Sequence, residues 1–422
     1  MLDLAHVSRR RLSNGLTFLA DTEVENDIVA LKLHFHLGSL YEDDAEAGLG
    51  SCVARMLLMG AADRQAADLA LDLESLGVRL HTGVGNENGI VSLVCPRDVF
   101  EAGFEIMLDI LTAPTFPEHE LERDRQRTIG KIRARLDHPF SHAVDLFDET
   151  FYRDHPYHKP AIGYEAAVAG FTRAQLVDCW ERALRPEHMV AALVGRVSTA
   201  QVVAGLERRL VKRDNGHHTP RPGRQPGAEP AERLETRRTQ TAWIVIGWPA
   251  PPVGHDDAAA MTLLTSILGG SMDSRLFTEL RDKRGLAYEV GAQYRGYAGP
   301  SCTITYMGTG GEQFAAGRQG MLDEVERLRD EGPTAAEVER GRSYLDGSYR
   351  MAMERNSQRA STYGVHELFG LGYDHAVRFL ERLERLEADT LREVAVRWWR
   401  GPTSAAVVPE QNGEKPGSTG SP

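Results

Sequence analysis

The chain has 422 residues, of which 41% are hydrophobic and 26% charged, a composition typical of a folded protein with two or more domains. Its formal net charge of −12 argues against nucleic-acid binding and, where part of the negative field faces a cavity, favours basic or unfolded peptide ligands. No apolar run approaches the roughly 20 residues that span a bilayer, and the N-terminus lacks the basic-then-apolar order of a signal peptide. We therefore expect a cytoplasmic protein that contacts neither membranes nor nucleic acids.

Local patterns in the first half predict strands that alternate with helices. An Asn14-Gly15 turn signal between apolar segments predicts a β-hairpin at the start of the chain. The next segment alternates apolar and polar side chains as a half-buried strand does, and a later charged stretch has acidic residues early and basic residues late, which matches the dipole of a long helix. The predicted elements are strands at 28–37, 78–84 and 90–95, the last two as an antiparallel pair, and helices at 46–59, 66–76 and 117–136.

A segment rich in proline and glycine divides the chain almost in half. Residues 213–235 have no apolar periodicity, which predicts a linker between an N-terminal domain at 1–212 and a C-terminal domain at 236–409. Residues 410–422 are rich in glycine, serine and proline. We expect them to form a disordered tail.

The second half repeats the order of the first. Residues 120–125 recur in similar form at 337–342, in each case near the start of a long helix that follows a proline. Residues 171–176 resemble 386–391, and each of these segments leads through a helix to a strand. Two matches in the same order, with nearly equal offsets, favour an α+β fold with two homologous duplicated domains. Each domain is expected to be an antiparallel-rich β-sheet packed with α-helices.

The segment from Gly48 to Gly60 has the apolar framework of a metal-binding helix without its reactive side chains. In a His-x-x-Glu-His helix, the two histidines share one face as metal ligands and the glutamate activates the metal-bound water. The corresponding positions here hold Ser51, Ala54 and Arg55. Neither serine nor a guanidinium replaces a neutral imidazole, an arginine cation repels a divalent metal, and alanine cannot act as a base. The segment therefore predicts no metal site.

With its flanking residues, this segment resembles the signature of the pitrilysin/insulinase family of zinc metallopeptidases. The framework residues that match are Gly48, Leu49, Met56 and Gly60. The family takes a third zinc ligand, a glutamate, from a later long helix. Gly130 stands at the matching position, and its neighbour Lys131 is no ligand either. The resemblance thus implies the fold of the family together with the loss of zinc catalysis in this chain.

Two histidine pairs are further candidates for a metal site. His138 and His142 have the i, i+4 spacing of a helix face, and His34 and His36 share one face of a predicted strand. Neither pair has an adjacent glutamate with a catalytic role. We therefore expect the first pair on the surface near a helix start and the second at outward-facing strand positions.

The second half carries a motif with its chemistry intact. Gly269-Gly270 is followed by Ser-Arg-Leu-Phe and then by Arg281-x-x-x-Gly-Leu-Ala-Tyr288, which looks like the second hallmark of the same family. The resemblance implies that Arg281 holds a backbone carbonyl of a peptide substrate and that Tyr288 donates a hydrogen bond to the scissile carbonyl as it becomes an oxyanion. Taken singly, the two would be a salt-bridge partner and a core residue. Gly269 and Gly270 are either a flexible loop that contacts substrate or a helix C-cap.

Some members of this family, in outline like the mitochondrial processing peptidases, divide the two hallmarks between two chains. The resemblance implies that this chain is the non-zinc subunit of a heterodimeric metalloendopeptidase. A His-x-x-Glu-His homologue would hold the zinc, and this chain, with no cofactor of its own, would supply Arg281 and Tyr288. The pair would enclose and cleave unfolded or short peptides, bound in extended form at a sheet edge of the partner.

Two alternatives stay open. The chain could be a catalytically inert structural or peptide-binding homologue in a larger complex, comparable to the core subunits of respiratory complexes. A purely structural role gives no reason for Arg281 and Tyr288 to occur together. A single-chain enzyme with a displaced metal site would contain stoichiometric zinc.

Overall fold

The computed structural model describes Leu4 and residues 6–212, 219–226 and 229–410. Within these ranges the chain forms two main β-sheets, one in each half of the sequence, and helices pack on both. None of the helices in the described ranges is long and apolar enough to cross a membrane. Residues 411–422 of the predicted tail, and 213–218 and 227–228 of the predicted linker, lie outside the described residues.

The first half builds a six-stranded sheet. Its elements in chain order are β1 Ser8–Arg11, β2 Thr17–Asp21, β3 Ile28–Phe35, α1 Leu49–Met56, β4 Gly60–Ala61, β5 Arg64–Gln65, α2 Ala66–Leu76, β6 Arg79–Val84, β7 Gly89–Pro96, α3 Phe100–Thr112, α4 Glu118–Asp137, α5 Pro139–Phe151, α6 Glu165–Gly170, α7 Arg173–Ala183, β8 Val190–Val194 and α8 Thr199–Arg209. The strands of the sheet lie in the order β1-β2-β8-β3-β7-β6, and β4 pairs separately with β5.

The second half builds a five-stranded sheet. Its elements are β9 Ala231–Arg237, β10 Thr241–Ala250, α9 Ala258–Gly269, β11 Glu289–Arg295, β12 Ser301–Gly310, α10 Phe314–Glu331, α11 Ala335–Met353, α12 Asn356–Leu368, α13 His375–Glu384, α14 Ala388–Trp398 and β13 Thr403–Pro409. A π-helical segment, Phe277–Lys283, lies between α9 and β11. The strands lie in the order β11-β12-β10-β13-β9.

The two sheets have the same topology. Read from matching edges, β2-β8-β3-β7-β6 corresponds to β9-β13-β10-β12-β11. In each sheet one parallel pair, β2 with β8 or β9 with β13, accompanies antiparallel pairs. The repeated sequence segments begin equivalent helices, α4 and α11, then α7 and α14. These observations confirm the predicted α+β fold of two related, antiparallel-rich sheets packed with helices.

The predicted elements of the first half are present, some with shifted ends. The hairpin forms between β1 and β2, where Gly15 adopts a φ of +88° in the turn. The helix predicted at 46–59 is shorter because Gly48 has a left-handed φ of +91°. A Cβ on Gly48 would lie 2.6 Å from the carbonyl oxygen of Ile162, so only glycine fits there. This close approach sets the start of α1.

The predicted linker at 213–235 extends too far. β9 begins at Ala231 and pairs in parallel with β13, so residues 231–235 belong to the second sheet. The strand alternates charges, such as Glu232 and Arg233, and presents little apolar periodicity. Its conformation depends on a partner strand from the far end of the chain, which local sequence patterns do not reveal.

Each sheet buries one face under helices of its own half. Leu31 and Leu33 of β3 point into a core that also contains side chains of α1, α3, α7 and α8. Ile244 and Ile246 of β10 occupy the equivalent position against α9, α10 and α14. Because side chains alternate along a strand, every second residue of β3 and β10 points to the opposite face of its sheet. The apolar residues on that face must be buried by a further layer of helices.

Helices exchanged between the halves supply that cover. α5, from the first half, packs on β9, β10 and β13, where a Cβ on Gly247 would lie 2.4 Å from the Phe147 ring. α12, from the second half, packs on β3 and β8, where Gly364 lies against the His34 ring and Tyr363 is buried. Each half therefore completes the core of the other, and neither sheet is enclosed without both.

A second contact between the halves lies where the β6–β7 turn meets the β11–β12 turn. The buried Glu87 carboxylate accepts a hydrogen bond from the Tyr157 hydroxyl. It also accepts from the backbone N–H groups of Ala298 at 3.0 Å and Gly299 at 3.2 Å. Because a buried carboxylate without donors is strongly unfavourable, Glu87 holds the two turns together.

The surface positions expected for His34 and His142 are wrong. His34 is 1% exposed because α12 covers its strand face, and neither ring nitrogen has a hydrogen-bond partner among the described residues. His142 is buried where α5 meets the second sheet, with its Nε2 3.0 Å from the Glu235 carboxylate. His138 is exposed and His36 is half-buried. The exchange of helices, which no local pattern reports, decides these burials.

His34 should make the α12 interface sensitive to acid. Burial, reinforced by Lys32 and His366, lowers the pKa of His34 from 6.5 to about 3. Between these pH values the unfolded chain binds more protons than the folded chain, so the contribution of this group to stability is lost as the pH falls. We expect His34→Leu to flatten the decline of the free energy of unfolding below pH 6.5, measured by urea denaturation at a series of pH values.

His119→Leu is the matched control, because the His119 side chain is 65% exposed and lies on α4, away from the α12 interface. It should leave the pH dependence unchanged. The explanation fails if the curves for His34→Leu and the unmodified protein run parallel between pH 6.5 and pH 4.

Candidate functional site

The positions that match the zinc motif lie on α1, whose first turn is held by Glu42. The Glu42 carboxylate accepts hydrogen bonds from the backbone N–H groups of Gly48 at 2.9 Å and Gly50 at 2.8 Å, at the positive end of the helix dipole. Burial nevertheless raises the pKa of Glu42 to about 7. This anchor fixes the rotation of α1 and thus the direction in which its side chains point.

Ser51 and Ala54 each join α1 to a neighbouring element through a hydrogen bond. The Ser51 hydroxyl donates a hydrogen bond to the Ala161 carbonyl oxygen at 2.5 Å. Ala54 is buried, and its carbonyl oxygen accepts from the Thr82 hydroxyl at 2.6 Å. The two positions therefore tie α1 to a neighbouring loop and to β6.

Arg55 forms a two-pronged ion pair with Asp124 on α4. Arg55 Nε lies 2.9 Å from Asp124 Oδ1, and Arg55 Nη2 lies 2.8 Å from Asp124 Oδ2. The aspartate side chain is 4% exposed and the arginine side chain 29%. Burial, and then the nearby carboxylate, raise the pKa of Cys52 to about 12, which keeps this thiol protonated. The guanidinium thus provides the positive charge that couples α1 to α4.

The residues around Arg55 do not suit a divalent metal. The Arg55 guanidinium binds both carboxylate oxygens of Asp124. The Ser51 hydroxyl donates its hydrogen bond to a backbone carbonyl oxygen, and the Ala54 side chain has no atom that can bind a metal. In the described ranges no three His, Cys, Asp or Glu side chains converge as a metal site requires. Gly130 is exposed on α4 with open space at its Cβ position, and its assignment to a lost ligand stays a prediction.

Sequence reasoning missed Asp124, although a signal was present. Leu121, Asp124, Thr128 and Ile132 form the buried face of α4 at helical spacing. An aspartate on a buried face requires a cation opposite, because an unpaired buried carboxylate is strongly unfavourable. In the folded chain Arg55 supplies this cation from α1.

Arg281 and Tyr288 are exposed at the entrance to β11. The Arg281 guanidinium carbon lies 4.6 Å from the centre of the Phe277 ring, one turn earlier in the π-helical segment. Tyr288 is 69% exposed, and its backbone N–H donates to the Gly308 carbonyl oxygen at 2.9 Å. Neither side chain forms an ion pair or hydrogen bond with another described residue. Both are therefore available to a ligand.

Gly269 and Gly270 end α9. A Cβ on Gly269 would lie 2.4 Å from the backbone nitrogen of Ala292, so only glycine allows this helix end to touch β11. Gly270 is the C-cap, and its N–H donates to the Ser266 carbonyl oxygen at 2.9 Å. This packing supports the C-cap interpretation, and a contact with substrate stays a prediction.

Comparison with known families agrees with this fold and these motifs. Residues 18–164 match the model described as Insulinase (Peptidase family M16), and residues 170–345 match the model described as Peptidase M16 inactive domain. The chain belongs to the M16 family of peptidases. Within this M16 protein, the first model covers α1 with its altered motif and the second covers Arg281 and Tyr288.

Its similarity to other M16 proteins extends over most of the chain. An uncharacterized zinc protease of Bacillus subtilis is 23% identical, over 86% of this chain and 88% of its own length. One of Rickettsia felis is 23% identical, over 94% and 96%. One of Mycobacterium tuberculosis is 27% identical, over 85% and 82%. Those names describe the relatives, whereas the ligand positions of this chain hold Ser51 and Arg55.

Solved structures share the fold almost completely. The peptidase M16 inactive domain from Pseudomonas fluorescens superposes with a TM-score of 0.90 at 20% identity, covering 97% of this chain and all of that one (100%). A protease from Helicobacter pylori superposes with a TM-score of 0.89 at 18% identity, covering 96% and 99%. At these identities the likeness concerns the architecture of the two sheets and their helices.

Removal of Arg55 should destabilise this M16 protein through Asp124. Arg55→Ala leaves the buried carboxylate without its counter-charge, and breaking a buried pair in this way costs about 3–5 kcal/mol. Because water reaches part of Arg55, we expect a loss of about 2 kcal/mol in the free energy of unfolding, measured by urea denaturation.

The double variant Arg55→Leu/Asp124→Leu should regain much of this stability, because it leaves no charge buried. Arg123→Ala is the control on the exposed face of α4, where the side chain is 69% exposed, and should change stability by at most about 0.5 kcal/mol. Equal stability of Arg55→Ala and Arg123→Ala would show that the ion pair does not couple α1 to α4.

Proposed function

We propose that this chain is the non-zinc subunit of a heterodimeric M16 metalloendopeptidase. A homologous subunit with an intact His-x-x-Glu-His helix would hold the zinc and the attacking water. This chain would contribute Arg281 and Tyr288 to the same enclosed chamber. The substrates would be unfolded or short peptides, which can enter such a chamber.

One observation carries the proposal: Arg281 and Tyr288 are exposed, and their side chains have no hydrogen-bond or ion-pair partner among the described residues. Arg275, in the same motif, shows the contrast, because its guanidinium is paired with the Glu337 carboxylate at 2.7 and 2.9 Å. A structural arginine is thus satisfied internally, as in Arg275, whereas Arg281 keeps its donors free. A purely structural subunit gives no reason to hold both side chains in this state.

The two side chains suit polarisation of a peptide carbonyl. A phenol donates a hydrogen bond without ionising, so the Tyr288 hydroxyl can stabilise the negative charge that develops on the carbonyl oxygen during attack by water. The guanidinium of Arg281 presents several fixed donors and can hold a neighbouring backbone carbonyl. The Phe277 ring beneath the guanidinium limits its motion, because a cation is attracted to the face of an aromatic ring.

The first half of the chain supports a division of labour. Arg55 joins α1 to α4 through both carboxylate oxygens of Asp124, a contact between the two helices that needs no metal. The first half therefore retains the shape of its domain, and the second half retains exposed side chains that can act on a substrate.

Mixing experiments test the proposal. The chain should be purified alone and together with a His-x-x-Glu-His homologue, and the cleavage of fluorogenic peptides should be measured in each case. We expect activity in the mixture only. In the mixture, Tyr288→Phe should lower kcat by about 10²-fold, since loss of one oxyanion donor has an effect of this order. Arg281→Ala should mainly raise KM, because a ground-state contact with the substrate backbone is removed.

Tyr344→Phe and Lys283→Ala are matched controls, because both side chains are exposed and neither has an assigned contact with substrate. Both should leave kcat and KM unchanged. Hydrolysis by the chain alone, abolished by a chelator, would place a metal site in this chain and overturn the proposal. Peptide binding without turnover in every mixture would favour the inert, peptide-binding alternative.

A further inference from the structure

Three aromatic side chains form a cluster on the second sheet, on the face that α5 covers. The ring centre of Phe140, at the start of α5, lies 4.7 Å from that of Trp243 and 5.3 Å from that of Tyr306. All three pack at the margin of the core between α5 and the sheet, and each is only half-buried. Phe140, Trp243 and Tyr306 together are called the aromatic platform below.

Glycines beneath the rings let the aromatic platform lie flat on the sheet. Trp243 of β10 pairs with Gly308 of β12, and a Cβ there would lie 2.9 Å from the indole ring. Tyr306 of β12 pairs with Gly291 of β11, and a Cβ there would lie 2.5 Å from the Tyr306 hydroxyl oxygen. Larger residues at either glycine would push the ring away from the sheet. The three rings together form a half-buried apolar surface.

The polar atoms of the aromatic platform face outward. The Trp243 indole N–H and the Tyr306 hydroxyl form no hydrogen bond with another described residue. Both atoms lack a hydrogen-bond partner in the described ranges, yet neither is buried, so both are accessible to solvent. Buried tryptophan and tyrosine normally pair these atoms, and an apolar ring with a free donor at its edge is typical of recognition surfaces.

The aromatic platform lies close to Tyr288. The Tyr288 hydroxyl oxygen is 3.8 Å from the Cβ position of Gly310, and Gly310 points to the same side of β12 as Gly308, next to Trp243. Two residues along a strand span about 7 Å, so the Gly308 position beside Trp243 and the Gly310 position beside the Tyr288 hydroxyl are about 7 Å apart. An extended peptide covers the same distance with about two residues.

We propose that the aromatic platform is a subsite that binds an aromatic or large aliphatic side chain of the peptide substrate. The side chain would lie about two residues from the carbonyl that Tyr288 polarises. This inference rests on the proposed function of Tyr288, because that function sets the position of the peptide. A peptide is the occupant that the surroundings favour, since the platform lies about 7 Å along β12 from the point that the Tyr288 hydroxyl approaches.

Two labelled peptides test the subsite. Both are short, unstructured and rich in glycine and serine, and they differ only in one central residue, phenylalanine or alanine. Fluorescence anisotropy should be measured with the chain alone and with the mixed complex. We expect the phenylalanine peptide to bind at least about tenfold more tightly, from the burial and stacking of one ring. Trp243→Leu should abolish the difference, and Trp243→Phe should retain part of it.

Trp398→Leu is the matched control. This half-buried tryptophan of α14 donates to the Asp257 carboxylate at 2.8 Å, away from the platform, and its replacement should leave the discrimination intact. Circular dichroism and the unfolding midpoint show whether Trp243→Leu is folded. If it is not, Trp243→Phe decides the test, because this variant keeps a ring and should show a reduced preference.

The outcomes separate the subsite from the proposed function. Equal binding of the two peptides by the unmodified protein, alone and in the mixed complex, overturns the subsite whatever the turnover. Unchanged turnover in Tyr288→Phe, with the phenylalanine preference intact, overturns the role of Tyr288 and leaves a peptide-binding platform. In a complex that cleaves peptides, the preferred phenylalanine should lie about two residues from the cleaved bond. A preference at a clearly different position along the peptide overturns the stated position of the subsite.

Discussion

The exchange of α5 and α12 between the two halves is the constraint on which the rest of the structure depends. Each sheet has apolar residues on both faces, and β8 is buried along its whole length. A sheet of this kind cannot stay in water on either side. One helix passes from each half to the other, so both sheets become enclosed at once. Burial of a large side chain such as Phe147 or Tyr363 in these interfaces contributes about 1.5–3 kcal/mol.

Polar contacts then fix the arrangement that burial favours. The fully buried Asp21 of β2 lies 3.0 Å from the Arg359 guanidinium of α12, and Glu87 is satisfied by donors from both halves. Hydrophobic burial has no direction, whereas these bonds have a defined geometry. They therefore select one relative position of the halves. The same closure buries His34, whose ring nitrogens have no hydrogen-bond partner among the described residues.

The candidate site depends on this closure as well. Phe140 reaches the aromatic platform from the first half, whereas Trp243 and Tyr306 belong to the second. In the first half the pair of Arg55 and Asp124 holds α1 against α4 where the family places a metal. Arg281 and Tyr288, the exposed residues of the second motif, belong to the second half and lie at the entrance to β11.

Local sequence patterns determined the elements and the family of this protein. The periodicity at 66–76 and 117–136 marked α2 and α4, the Asn14-Gly15 turn marked the first hairpin, and the repeated segments indicated the duplicated fold. The motif positions also sufficed to question zinc binding and to select Arg281 and Tyr288, because residue type alone limits what a position can ligate or donate.

The tertiary structure decided what depends on distant partners. The strand β9 exists because β13 lies beside it, and His34 is buried because α12 crosses from the other half. The pairing of Arg55 with Asp124 and the meeting of Phe140 with Trp243 join residues that are far apart in the chain. Local patterns report the preferences of neighbouring residues. Contacts between residues that are distant in sequence depend on burial and charge across the whole fold. They can therefore be identified only in the folded chain.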